Sequence, residues 1–196
     1  GAIERVPTAP GLAELRGIEG DAARGYFEGF AAMIRGPRDT FAFDGRTRRP
    51  PRDRTNALLS FLYALWLAEC TAALEGVGLD PQVGFLHVLR PGRPALALDL
   101  VEEFRPAAAD RLALRMINRR QLRGEHFEVL AGGSVLLTEE GRRIVIHAFQ
   151  ERKLEEVTHP IAGRKVPFGL VPHLQARLLA RHLRGDLDRY PPFAVR

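Results

Sequence analysis

A single, mainly α-helical domain with at most a minor β-hairpin is the fold class the sequence predicts, on three observations. Residues 12–34 place Leu12, Leu15, Ile18, Ala22, Tyr26, Phe30 and Ile34 at three- and four-residue steps, the stripe of an amphipathic helix. Residues 55–74 are apolar nearly all round, which marks a helix at the centre of a bundle. Further helical patterns follow, separated by short turns rich in proline and glycine, with no repeat or low-complexity stretch. A chain of 196 residues is long enough for one well-buried core.

In chain order, the first ten residues, GAIERVPTAP, read as a linker or truncated tail, and residues 11–196 as the helical domain. Gly17, Gly20 and Gly25 weaken the first helix by about 1 kcal/mol each against alanine without removing its stripe. A loop dense in proline, glycine and arginine, GPRDTFAFDGRTRRPPRDR, leads to the central apolar helix. GVGLDPQVGF is a turn-rich connection and RPGRP a tight turn. A helix should begin near Leu98, putting Asp99 and Glu102 at i and i+3 on one face, and Pro106 should kink or restart it. The VLL of GGSVLL suits a short strand. Thr138 then caps a helix carrying Glu139 and Glu140 in its first turn and running to His159-Pro160. LVPHLQARLLARHLRG forms the last helix, before an extended proline-containing tail.

The formal net charge is +5 and the pI near 10.1, a balance that favours an anionic partner, nucleic acid or a membrane surface. The positive charge is almost all arginine, with Lys153 and Lys165 the only lysines; a GC-rich genome explains that bias as well as phosphate binding does. Cys70 stands alone, which excludes a disulfide framework and a cysteine zinc site and fits a reducing cytoplasm. No run of about 18 apolar residues is free of charge, so neither a membrane span nor a secretory signal is expected. Glycine-rich phosphate loops and a G-x-S-x-G element are absent.

The candidate chemistry lies between Glu69 and Arg105. Glu69 sits in LLSFLYALWLAECTAAL, where a lone carboxylate demands a positive partner, because an unpaired buried charge costs several kcal/mol. His87 with Asp99 and Glu102 offers one imidazole and two oxygen donors, a set that suits Mg2+ or Mn2+. Tyr63, two turns before Glu69, is either core or a lining of the same cavity. Arg46, Arg48, Arg49, Arg52 and Arg54 make the basic loop either a solvated surface or a set of phosphate contacts. The other histidines, at 126, 147, 159, 173 and 182, are scattered and read as structural.

NALLSFLYALWLAEC, GLDPQVGFLH, RPGRPALALDLVEEFRP and HAFQERKLEE closely resemble the family of CRISPR-associated protein one, the integrase of CRISPR adaptation. LRGIEGDAARGYFEGF is similar to the start of that family's helical domain, and the resemblance runs from about Leu12 to Phe193. It implies metal ligands at Glu69, His87 and an acidic position matching Glu102, with Asp99 assisting; which of Asp99 and Glu102 ligates directly stays open. It implies joining of a short DNA duplex, the prespacer, to a CRISPR repeat by transesterification. The nucleophile is a DNA 3′-hydroxyl, and Mg2+ or Mn2+ is the cofactor. CRISPR-associated protein two is the implied partner, and the complete protein is a homodimer whose N-terminal β-rich domain has no counterpart here. The basic loop and its PP segment look most like variants that work alongside, or are fused to, an iron–sulfur nuclease. Under this reading the arginines at 46–54, 119–123 and 142–143 contact DNA backbone. The competing functions are a metal-dependent, structure-specific DNA nuclease and a non-catalytic helical DNA-binding scaffold.

Overall fold

The computed structural model describes residues 2–193 and is mainly α-helical, with two small antiparallel hairpins. The first residues hold a short helix, α1 (Ala2–Arg5), and a 3-10 turn, where the sequence suggested only a tail. α2 (Leu12–Ala32) buries Ile18, Phe27 and Phe30. Its glycines at 17, 20 and 25 face open space, so they cost helix propensity without leaving a packing defect.

α3 (Arg54–Glu75) is the hub. Asp53 caps it by accepting the backbone N–H of Asn56 at 2.7 Å. Leu58, Leu59, Leu62, Trp66, Cys70, Ala73 and Leu74 are fully buried against the surrounding elements. The Trp66 ring meets Phe149 and Phe168 edge-on, at centroid distances of 5.1 and 5.3 Å. By length and composition alone α3 could also cross a membrane, as the core helix of a bundle often could. In this fold that apolar surface is spent on the core, and one remaining stripe faces a groove.

α4 (Ala95–Glu102) starts three residues earlier than expected, directly after Pro94. Pro106 cannot donate to the helix ladder, and the chain passes through a π-helical turn, Pro106–Asp110, into α5 (Arg111–Asn118). β1 (Phe127–Val129) pairs with β2 (Val135–Leu137) across a turn in which Gly132 and Gly133 take positive φ. α6 (Glu139–Leu154) is capped by Thr138, as expected, but ends at Leu154 instead of running to His159. Glu155 is held there by Arg115 and Arg152, and the next residues form β3 (Glu156–Thr158), paired with β4 (Lys165–Pro167). α7 (Val171–Leu183) packs back onto α3.

Candidate nucleic-acid and metal site

Ser60, Tyr63, Ala64 and Leu67 form one stripe of α3 and line a groove. Leu98, Val101, Glu102 and Arg105, on α4 and the turn after it, form the facing wall. The loop from His87 to Pro94 and the basic residues 46, 48 and 49 close its rim. Six arginines (46, 48, 49, 90, 93 and 105) line this groove against one carboxylate, Glu102. Such a concave surface of one sign concentrates a polyanion.

His87 is fixed by Asp99. The Asp99 carboxylate accepts the backbone N–H groups of Phe85, Leu86 and His87 at 2.6, 3.1 and 3.0 Å, and it bonds His87 Nδ1 at 2.7 Å. Burial opposes its ionisation, but those bonds prevail and hold its pKa below the ordinary 3.8. With Nδ1 bonded to the Asp99 carboxylate, Nε2 is the ring nitrogen left for a ligand, the arrangement of metal-ligating histidines. Asp99 is therefore spent on orienting the loop, while Glu102 faces the groove. A carboxyl with a lowered folded pKa stabilises the fold above its unfolded value of about 3.9, and that contribution fades as pH falls through the folded value. Asp99→Asn keeps the side chain's volume but removes its charge, and should lower the melting temperature at neutral pH. In acid melts the wild type should lose more stability below about pH 4 than the variant.

Glu69 is not part of this site. It is two residues beyond Leu67, about 200° round α3, and its Oε1 accepts from Lys153 Nζ of α6 at 2.6 Å. The positive partner that a carboxylate in an apolar helix requires is met here by a lysine. Among the described residues no three His, Cys, Asp or Glu side chains come together as a group that could hold a metal ion. Glu102 accepts from Arg105 Nη1 through both oxygens. The groove still offers His87 Nε2 and Glu102, donors that fit a cation such as Mg2+, which keeps several waters and takes one or two protein ligands beside substrate phosphates.

One further carboxylate, overlooked in the sequence, lies alongside. Arg16 Nε donates to the Leu86 carbonyl at 2.8 Å, tying α2 to the residue before His87. Glu19, one turn on, lines a cleft that shares Arg46 and Arg48 with the groove. A carboxylate between Gly17 and Gly20, in GIEG, was the available signal.

The basic loop divides. Arg46, Arg48 and Arg49 line the groove, whereas Arg52 donates to the Gly132 carbonyl and Arg54 to that of Thr40. Arg119–Arg123 and Arg142–Arg143 are not among its lining residues; Arg123 and Arg143 pair with Glu125 and Glu139. Arg90, Arg93 and Arg105 were missed, because RPGRP signalled only a turn and Arg105 only a helix end. Beneath the groove, Tyr63 and Tyr26 donate to buried Asp110 at 2.5 and 2.7 Å. Burial raises the pKa of Asp110, against the pull of those bonds and of Arg105 and Arg46.

A helical domain whose groove carries six arginines beside one carboxylate and an oriented imidazole presents a surface suited to a polyanion. The chain belongs to the Cas1 family: the family described as CRISPR associated protein Cas1 matches residues 1–151. A protein of Rhodospirillum rubrum named CRISPR-associated endonuclease Cas1 2 is 63% identical over 91% of this chain and 52% of its own length. A Geobacter sulfurreducens protein named as a Cas4 exonuclease/Cas1 endonuclease fusion is 47% identical over 96% of this chain and 34% of its own. The chain thus spans about half the length of the first relatives it matches. Among solved structures, a casposase bound to integration product superposes with a TM-score of 0.89 at 27% identity, over 98% of this chain and 55% of that one. A Cas6-RT-Cas1–Cas2 complex gives 0.83 at 26% identity, over 98% and 21%.

Proposed function

We propose that the complete protein is a metal-dependent DNA integrase of CRISPR adaptation, which joins prespacer 3′-hydroxyl ends to the CRISPR repeat by transesterification. The observation that carries this reading is the groove, with six arginines and one carboxylate around a histidine set by Asp99. Similarity to a casposase solved with its integration product supports strand transfer. Similarity to a Cas1–Cas2 complex and to Cas4–Cas1 fusions supports a Cas2 protein and a Cas4 exonuclease as partners; an iron–sulfur cluster in that nuclease and a homodimer of the complete protein belong to the proposal. The reading places the protein in the prokaryotic cytoplasm, where its DNA is.

Arg48, Arg49, Arg90 and Arg93 would hold the phosphate backbone without reading sequence. Mg2+ or Mn2+ would be held by His87 Nε2, Glu102 and Glu19, with Asp99 fixing the His87 ring. Once bound, such an ion stabilises charge on the phosphate oxygens and favours the ionised form of the attacking hydroxyl. No serine or cysteine nucleophile is needed, and the only cysteine, Cys70, is buried in the core, where desolvation raises its pKa. The chain's own task is positioning and charge stabilisation.

Relatives named endonucleases favour hydrolysis as the second reading, with water replacing the DNA hydroxyl at the same site. A labelled duplex with free 3′-ends, incubated with a supercoiled repeat plasmid, separates the two: joined product supports the integrase, and shortened product alone supports the nuclease. DNA affinity should also fall linearly with log salt concentration. Alanine at Arg48, Arg49, Arg90 and Arg93 should reduce that slope by about one for each arginine that touches a phosphate, while alanine at Arg52 and Arg54 should leave it unchanged.

A further inference from the structure

Two guanidiniums share one aromatic ring at the groove floor. Arg105 stacks on Tyr63 at 4.6 Å from the ring centroid and Arg46 at 5.2 Å. Arg46 bonds only neutral acceptors, the Thr47 carbonyl, Asn56 Oδ1 and Ser60 Oγ, with no carboxylate at ion-pair distance among the described residues. The Nε atoms of Arg46 and Arg105 are both buried without a hydrogen-bond partner. The floor is thus cationic and only partly satisfied by the protein itself, a cost that an incoming anion offsets. The one anion that Arg105 does reach is Glu102, both of whose oxygens it engages. A guanidinium held on both oxygens keeps a positive charge beside any cation that Glu102 would ligate, and so weakens its binding.

We propose that Arg105 couples the two ligands of the groove: a phosphodiester group draws its guanidinium away from Glu102, and the freed carboxylate then accepts the divalent cation. This rests on the reading of Glu102 as a cation ligand. Tyr63 gives Arg105 a surface on which to pivot while it stays stacked, and Arg46, held by three acceptors, is the fixed half of the phosphate clamp. Because linkage is reciprocal, cation binding should favour phosphate binding by the same factor. The groove would then be poorly loaded with metal until DNA arrives, which limits unproductive hydrolysis.

The test is Mn2+ affinity, read by electron paramagnetic resonance on the full-length protein without DNA. Arg105→Gln should bind Mn2+ about tenfold more tightly than wild type, a typical coupling magnitude. The same variant should lower the salt slope of DNA binding by about one. For wild type, sulfate as a phosphate mimic should tighten Mn2+ binding relative to chloride at equal ionic strength, a measurement that needs no substitution. Unchanged or weaker Mn2+ affinity in Arg105→Gln, or equal affinity in sulfate and chloride, overturns the coupling. Glu102→Gln separates the two levels: if it binds Mn2+ as wild type does, the assignment of Glu102 as a ligand fails, and the coupling with it.

Discussion

In the complete protein His87→Ala should abolish cation-dependent joining and leave DNA affinity within about twofold, since affinity comes chiefly from arginine–phosphate contacts. His87 is the one imidazole in the groove, and four bonds to Asp99 set its loop and ring. Three of those four are made by backbone N–H groups of residues 85–87, so alanine retains them and the loop keeps its path. The loss is then confined to the ring and the lone pair on Nε2. Strand transfer with Mn2+ and filter binding of the same duplex measure the two halves separately. Joining at the wild-type rate would remove the metal-site mechanism as a whole, and a large loss of affinity would mean that the ring contacts DNA directly.

The hub of the fold was legible because α3 is apolar on nearly every side, a property of one continuous segment. The requirement that Glu69 meet a cation was legible too, from the cost of burying a charge. The partner's identity was not, since Lys153 is 84 residues away and pairing at that range leaves no local trace. Helical phase, however, could have separated Glu69 from Tyr63. Six residues are 600°, or 240° modulo a turn, so the tyrosine that lines the groove and the glutamate that pairs with α6 occupy different faces. Similarly, the spacing of Asp99 and Glu102 predicted a shared face and could not divide their roles. That division depends on the loop at 85–87 folding over Asp99 and leaving Glu102 to the groove. The premature end of α6 was hidden for the same reason, because Glu155 is held in part by Arg115, 40 residues earlier.

Glu19→Gln and Glu69→Gln should part sharply, although each removes one carboxylate and conserves volume. Arg16, one turn before Glu19, bonds the Leu86 carbonyl, and Glu19 is exposed on the cleft that shares Arg46 and Arg48 with the groove. As the second oxygen donor of the proposed cation site, beside Glu102, it should be nearly as indispensable as His87, so Glu19→Gln should reduce joining to the background level. Its melting temperature without metal should stay close to wild type, since an exposed side chain adds nothing to the core. Glu69, by contrast, makes a half-buried ion pair with Lys153, each side chain about a quarter exposed (25% and 24%). Solvent screens a pair of that kind, which stabilises by at most about 1 kcal/mol. Glu69→Gln should therefore lower the melting temperature slightly and leave strand transfer at the wild-type rate, and a chelator should shift the two melts equally. The paired measurement is joining with Mn2+ and thermal melting with and without chelator, on both variants. Lost joining in Glu69→Gln with full activity in Glu19→Gln would return the metal site to α3 and refute the assignment of Glu19 as a ligand.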